Sequence, residues 1–444
     1  MDDRSGSNKL SWKVRPFGTE QGPRLVSECK VVTMGCRLNA FESEVIKGHI
    51  HKAKLENIIV INSCAVTQEA ERQTRQKIYR AKREYPESRL VVTGCSAQIN
   101  PERFAKMQDV DAVVGNAEKL DPNFWLDLSG HLAEAKIQVN DIMSVRETAG
   151  HLIQGFDGRS RAFIEVQQGC DHRCTFCVIP FGRGPSRSVP AGEIVNQINA
   201  LVKKGFKEVV LTGVDLTDYG KGLPGSLNLT ALVRKILKLV PELERLRLSS
   251  LDPMEMDDSL ISLFGDEPRL LPSVHLSIQS GNNIILKRMK RRHQREDVIK
   301  VCEKLREKRP EVTFGADLIV GFPTENEEMF EDTRTLVREA KITQLHVFPY
   351  SQRDGTPAQK MPQVPNQERK RRAKVLRSDG VAQLQSILDE GIGSKAKVLI
   401  ENGERGHCER FLPVIMNKTY KTGEIVNTRI IARDGNFWIG EGIL

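Results

Sequence analysis

No apolar run in this chain approaches the roughly 18 residues that a membrane-spanning helix needs, so a helical membrane protein is not expected. The first 28 residues lack the apolar core of a signal peptide and read as a polar extension, residues 1–28. Nine cysteines without such a leader argue against a secreted disulfide scaffold; they point to metal or redox chemistry in a reducing, cytoplasmic compartment. No repeat is present beyond strand–helix units. What remains is a chain of 444 residues, 39% hydrophobic and 28% charged, with room for two or three globular domains and one substantial core.

The most informative stretch is Cys170-Asp-His-Arg-Cys174-Thr-Phe-Cys177. Three thiols in so short a loop cannot all pair as disulfides, and thiolates at this spacing suit a soft metal or an iron–sulfur cluster. No fourth Cys or His stands at the distance that closes a structural zinc site, and His172 lies between the first two thiols. Three ligands and one open position is the expectation.

Upstream, one pattern recurs three times: a short β-branched run ends at a cysteine, at residues 31–36, 58–64 and 90–95. Each run reads as a buried strand, and helical sequence follows, most clearly over residues 67–84. Strand, cysteine loop and helix in alternation imply a parallel α/β sheet whose strand-end loops gather on one edge. Cys36, Cys64 and Cys95 would therefore converge, and helix N-termini behind them would favour the thiolate form. A further strand over residues 110–115 completes this unit, residues 29–120, and residues 121–159 read as a connection.

From Arg161 the alternation resumes at larger scale. Six strand-like runs, each followed by helix or loop, suggest a partial (βα)6 barrel over residues 160–390. Ligands bind such barrels at the carboxyl ends of the strands, where Thr212, Gly213, Ser249, Ser250, Gln279, Ser280, Asp317, Gly321 and His346 fall. After a Gly/Ser boundary at Gly391, polar–apolar alternation with turns at Asn402-Gly403, Lys421-Thr-Gly423 and Asp434-Gly435 predicts a small antiparallel β barrel, residues 391–444. Net charge is +9 and uneven. Residues 286–309 hold eleven Lys/Arg against four Asp/Glu, and residues 369–377 form a second basic run, which together favour a polyanionic partner.

The Cys-x3-Cys-x2-Cys loop after the first barrel strand resembles the radical S-adenosylmethionine (SAM) superfamily, and nearly the whole chain resembles its methylthiotransferases. The likeness is greatest to those acting on threonylcarbamoyladenosine in tRNA. It rests on Gly35-Cys-Arg-Leu-Asn39 with Glu42-Ser43, Asn62-Ser-Cys-Ala-Val-Thr67, Thr93-Gly-Cys-Ser-Ala-Gln98 and Val114-Gly-Asn-Ala-Glu-Lys119. Arg183-Gly-Pro-Ser-Arg-Ser188, Leu211-Thr-Gly-Val214, His346-Val-Phe-Pro-Tyr-Ser351 and Gly355-Thr-Pro357 extend it. The resemblance implies an N-terminal cluster domain, a radical SAM barrel and a terminal RNA-binding TRAM barrel. It implies a [4Fe-4S] cluster on Cys170, Cys174 and Cys177 whose open iron binds SAM, and a second on Cys36, Cys64 and Cys95 that carries the donated sulfur. Reductive cleavage of SAM would yield a radical that abstracts hydrogen from C2 of the adenosine. Thr212, Gly213, Gln279, Ser280 and Gly321 match superfamily positions near SAM. The implied partners are the tRNA anticodon stem-loop, an electron donor and a sulfur donor. Alternatives are a methylthiotransferase for isopentenyladenosine or a ribosomal protein side chain, and a zinc-stabilised RNA-binding protein. Two departures stand out: the Cys36–Cys64 span is short, implying a trimmed helix, and the terminal barrel offers only Phe411, Tyr420, Phe437 and Trp438 as aromatics.

Overall fold

The three β-branched runs that end at cysteines become neighbouring parallel strands, β1 (Lys30–Thr33), β2 (Ile58–Ser63) and β3 (Arg89–Gly94). The computed structural model describes residues 29–130, 136–146, 153, 155, 158–225 and 227–443, so the polar extension lies outside the described residues. β4 (Ala112–Val114) continues the sheet, and β5 (Ile137–Gln138) pairs with it from inside the stretch read as a connection. Two residues are too few for an apolar period to register in the sequence.

Helices α1 (Arg37–Lys52), α2 (Gln68–Glu84), α3 (Cys95–Ile99), α4 (Pro101–Ala105) and α5 (Pro122–Gly130) connect and cover these strands. Thr67 caps α2, its hydroxyl accepting the Ala70 N–H at 3.1 Å, and Glu69 and Glu71 occupy the positive first turn. The helix between Cys36 and Cys64, α1, runs 16 residues. It is buried on two sides. Ile46 and Ile50 join the core of the N-terminal sheet, whereas Ala40, Phe41 and Val45 join the core of the following barrel. One helix thus fixes both units to each other.

The barrel begins with β6 (Arg161–Glu165). A short antiparallel pair, β7 (Gln167–Gln168) and β8 (Arg187–Ser188), brackets the cysteine loop and the helix after it, α6 (Ile179–Arg183). β9 (Glu208–Thr212), β10 (Arg245–Leu248), β11 (Ser250–Leu251), β12 (Ser273–Gln279), β13 (Thr313–Val320) and β14 (Gln344–Pro349) follow. The orders β10-β9-β6 and β11-β12-β13-β14, all parallel, make a six-stranded curved wall in which β10 and β11 are one strand interrupted at Ser249. Outside it lie α7 (Ala191–Lys203), α8 (Leu229–Leu239), α9 (Asp258–Asp266), α10 (Asn283–Arg288), α11 (Arg295–Lys308), α12 (Glu327–Glu339) and α13 (Asn366–Glu390). α1 packs on the edge strand β6, and α13 on the edge strand β14.

The last five strands, β15 (Lys395–Asn402), β16 (Arg405–Cys408), β17 (Pro413–Met416), β18 (Ile425–Asp434) and β19 (Phe437–Gly442), close a barrel in the order β15-β16-β17-β19-β18. Trp438 fills its core, and its indole N–H donates to the Leu388 carbonyl at 2.7 Å, tying α13 to the barrel. This barrel docks on the amino ends of the α/β strands. Arg161 bonds Glu401, Thr313 donates to the Arg410 carbonyl, and Gln344 to the Phe411 carbonyl. The Phe411 ring meets the Arg161 and Arg247 guanidiniums at 5.2 and 4.8 Å. Beneath it, the fully buried Glu208 faces Arg161, Arg245 and Arg247 at 3.0–3.1 Å. Burial by itself would raise the Glu208 pKa, but the three guanidiniums hold it at about 2. Among the described residues no helix is long and apolar enough to cross a membrane.

Candidate active site between two thiol sets

The loop carrying Cys170, Cys174 and Cys177 leaves the carboxyl end of β6 and is pinned on both sides. Gly169 sits at φ +71°, where a Cβ would meet the Pro185 carbonyl oxygen at 1.9 Å, so the turn into the loop requires glycine. The Cys170 N–H donates to Gly184 O, the Thr175 N–H to Met289 O and the Thr175 hydroxyl to Arg288 O. The Cys177 sulfur accepts the Ile179 N–H at 3.4 Å, and Arg291 approaches Cys174 at 3.9 Å. His172, between the thiols, turns to Asp215 (2.9 Å) and Glu255 (3.7 Å). By accepting from its ring, those two carboxylates raise its pKa to about 10, and Arg292 Nη2 lies 2.8 Å from the same ring nitrogen. Burial pushes the Cys177 thiol up to about 12.

The other three cysteines stand at the carboxyl ends of adjacent strands, as the alternation predicts. Cys36 is the N-cap of α1, Cys64 follows β2, and Cys95 opens α3. Gly35, at φ +82°, lets the first loop pass Cys64: a Cβ there would lie 2.7 Å from the Cys64 sulfur. For Cys36 and Cys64 the expected effect of the helix termini is outweighed, because burial raises both thiols, Cys64 to about 12.

Beneath this second set lies a buried polar network that sequence reasoning left without a role. Arg183, six residues beyond Cys177, spends all five N–H groups on it. Nε donates to the Cys95 sulfur at 3.1 Å, Nη1 to Glu42 and Gln168, and Nη2 to Asn39 and Glu42. Lys119 donates to Glu42 (2.6 Å), Asn116 (2.6 Å) and Asn62 (3.3 Å), three acceptors for the three protons of an ammonium. Burial opposes ionisation of Glu42, but Arg183 and Lys119 hold it well below the usual carboxylate range. Glu165 is the reverse case, raised to about 8 by burial and by the charge of Glu42, and is neutral at pH 7. Against the effect of burial, Cys95 and Glu42 hold Arg183 in its charged form, whereas burial lowers the Lys119 pKa; the positive charge directed at Cys95 is that of Arg183. Arg183, Glu42, Asn39 and Lys119 all occur in the motifs that carry the family resemblance. Partner separations of up to 144 residues hid their contacts.

A cavity of about 330 Å³ joins the two sets, with Cys36 and Cys177 both in its wall. Gln279, Asp317, Ile319, Phe348 and Tyr350 are among its other wall residues. Of the residues expected near SAM, Gln279 is in this wall, at a strained φ of +73°. Thr212, Gly213, Ser280 and Gly321 do not line it. Thr212 is buried at the end of β9, and Gly213 packs on Gln167. The Ser280 hydroxyl accepts the Asn282 N–H, and the Gly321 N–H donates to Glu325. Asp317 lies 3.1 Å from both His275 and His346. Against the opposing effect of burial, these histidines hold it well below the usual carboxylate range. Cys302 and Cys408 are buried core thiols.

The donor sets can be tested for fit. Three thiolates on one zinc at about 2.3 Å stand about 3.8 Å apart. Among the described residues, the groups whose ligand atoms all fall within 4.8 Å of one another include neither set of three thiols. That spacing is too open for one ion and suits a polynuclear centre. The Arg183 guanidinium against the Cys95 sulfur suits an anionic one.

The Radical SAM superfamily description matches residues 164–337, and Uncharacterized protein family UPF0004 matches residues 28–115. A threonylcarbamoyladenosine tRNA methylthiotransferase from Rickettsia prowazekii is 54% identical, over 90% of this chain and 94% of its own. One from Aquifex aeolicus is 38% identical, over 90% and 98%. A tRNA-2-methylthio-N(6)-dimethylallyladenosine synthase from Rickettsia rickettsii is 34% identical, over 93% and 98%. Among solved structures, a radical S-adenosylmethionine methyltransferase from Kitasatospora setae superposes with a TM-score of 0.55 at 14% identity, over 75% of each chain, which shows a shared fold.

Proposed function

From the premise that this chain belongs to the threonylcarbamoyladenosine tRNA methylthiotransferases of the radical SAM superfamily, we propose that its chemistry takes place in the cavity between Cys36 and Cys177. The enzyme inserts sulfur and a methyl group at C2 of N6-threonylcarbamoyladenosine in tRNA. In this reading Cys170, Cys174 and Cys177 would hold the [4Fe-4S] cluster that works on SAM, and Cys36, Cys64 and Cys95 would hold the other. Bound there, the clusters and SAM supply the electron, the hydrogen-abstracting radical, the sulfur and the methyl group.

The chain's own residues position and enclose. Arg183 carries the geometry of one loop to the other, because it follows Cys177 by six residues and hydrogen-bonds Cys95. Gln167, under the SAM-side loop, accepts the Asp215 N–H at 2.8 Å and donates to Gly169 O and Ser186. Ile319, Phe348 and Tyr350 give the cavity a hydrophobic side that keeps water from a reactive centre. Gln279 is the wall residue best placed to contact SAM; Thr212, Gly213, Ser280 and Gly321 act by shaping the strand ends behind it. Domain roles follow the same division, with residues 29–120 carrying the sulfur-bearing cluster, 160–390 the SAM chemistry and 391–444 an RNA contact. The substrate is taken as an anticodon stem-loop, whose unstacked bases can leave the strand. An electron donor and a sulfur donor are required, and the setting is cytoplasmic.

The observation that carries this reading is that one cavity reaches a cysteine of each set. Paired substitutions test it. Cys174→Ala is expected to abolish SAM cleavage, whereas Cys64→Ala retains cleavage and loses sulfur insertion. Methylthio product from Cys64→Ala would remove the N-terminal thiols from the chemistry.

A further inference from the structure

A larger groove, about 950 Å³, opens beside the cavity and shares Thr67, Val178, Phe348, Pro349, Tyr350 and Ser351 with its wall. One bank is α2 with the α3–α4 turn, and the other is the end of β14, the loop after it and the start of α13. The banks are tied together: Ser351 accepts the Gln68 N–H at 3.0 Å, and Glu71 pairs with both Arg103 and Arg353.

The charge of this groove is one-sided. Arg72 pairs with Glu69, Arg103 and Arg353 share Glu71, and the remaining carboxylate of the lining, Asp354, accepts from the Gln359 amide. Arg75, Arg369, Lys370 and Arg377 also line it and meet no carboxylate among the described residues. Arg369 gives its N–H groups to Val364 O, Tyr350 O and the Gln363 amide, and Arg377 to Val347 O, so both are positioned without losing charge. Three of these four come from the basic run at residues 369–377. Its other arginines, Arg371 and Arg372, turn to Glu325, Glu327 and Glu368.

The competing surfaces are weaker. Of the eleven cations in residues 286–309, seven are hydrogen-bonded inside the protein: Arg288 to Thr324, Arg291 to Asp252, Arg292 to Glu255, Arg295 to Glu339, Lys304 to Asp258, and Arg306 and Arg309 to carbonyls. In the terminal barrel, Trp438 is core and Phe411 lies against the α/β barrel. The groove, in contrast, has an accessible aromatic where it meets the cavity: Phe348 is 38% exposed.

We propose that the groove is the channel for the single-stranded loop of the tRNA. Phosphates lie along Arg75, Arg369, Lys370 and Arg377, and the target base turns past Phe348 into the cavity. This rests on the reading of the chain as a tRNA-modifying enzyme. The test uses the full chain and a fluorescent anticodon stem-loop RNA, with anisotropy titrations at several salt concentrations. Arg75→Ala/Lys370→Ala removes two charges whose side chains have no partner to strand. Affinity is expected to fall about tenfold, and the slope of log K against log salt to flatten by about 1.4, at 0.7 per phosphate contact. Lys300→Ala/Lys308→Ala, on α11, serves as the control and should change neither.

Unchanged affinity and slope in the groove variant, or an equal loss in the control, would overturn the proposal. So would unchanged RNA binding combined with slower reduction by an acidic electron-carrier protein, which would assign the groove to that partner. Failure of the functional reading looks different: the loaded parent chain would show the groove's RNA affinity and salt dependence yet form no methylthio nucleoside.

Discussion

Arg183→Met removes the side chain that makes five hydrogen bonds between the two cysteine-bearing segments, at nearly constant volume. Five donors disappear from a site where Arg183 is 2% exposed and Glu42 fully buried. Glu42 keeps only Lys119 as counter-charge, and the acceptor atoms of Asn39 and Gln168 lose a partner. Breaking a buried ion pair from one side costs about 3–5 kcal/mol. The cost falls on the N-terminal sheet, because Glu42, Asn39 and Lys119 all belong to that unit. Amide hydrogen exchange by mass spectrometry localises it: peptides from β2 and β3 should exchange roughly 150-fold faster for a 3 kcal/mol loss, while those from β18 and β19 are unchanged. Glu42→Gln in the same background should cost far less than in the parent, a coupling of about 2 kcal/mol. Additive effects of the two substitutions, or exchange that speeds up equally everywhere, would refute the network as described.

Two other predictions concern the floor of the α/β barrel. Glu208 has a folded pKa of about 2 against an ordinary value of 4.5, so its stabilisation is complete above pH 4.5 and is lost as pH falls toward 2. This amounts to about 3 kcal/mol; acid titration of stability should show that decrement in the parent, and Glu208→Gln should lack it while being less stable at neutral pH. Phe411→Ala removes the ring set against Arg161 and Arg247 and should weaken docking of the terminal barrel by about 2 kcal/mol, seen as faster proteolysis at the junction near Gly391; unaltered cleavage would contradict the docking role.

Much of this architecture could be read in advance, because its signals are local. β-Branched runs ending in cysteine announce a parallel sheet with thiols on one edge. The capped start of α2 lies one residue from its predicted position, at Gln68 after Thr67. The elements that escaped are those whose meaning depends on distant partners. β5 is a strand only because β4 offers it an edge. The basic stretch at residues 286–309 looks like an RNA surface until its arginines are seen paired with Asp252, Glu255 and Glu339. α1 reads as one helix of the N-terminal unit, yet it is held by two cores at once. Within the candidate site, clustering made the thiols legible. The charge network beneath them, assembled from α1, β2, the 116–119 segment and α6, did not show in any one stretch.

The central claim is that two clusters on either side of one cavity act on the same adenosine. Its most direct test reconstitutes the full chain anaerobically and supplies SAM, a reductant and tRNA bearing N6-threonylcarbamoyladenosine; the nucleosides are then analysed by mass spectrometry. The account predicts about eight irons per chain and the 2-methylthio derivative of that nucleoside. The same nucleoside recovered unchanged from protein carrying both clusters, or the methylthio group found on isopentenyladenosine instead, would contradict it.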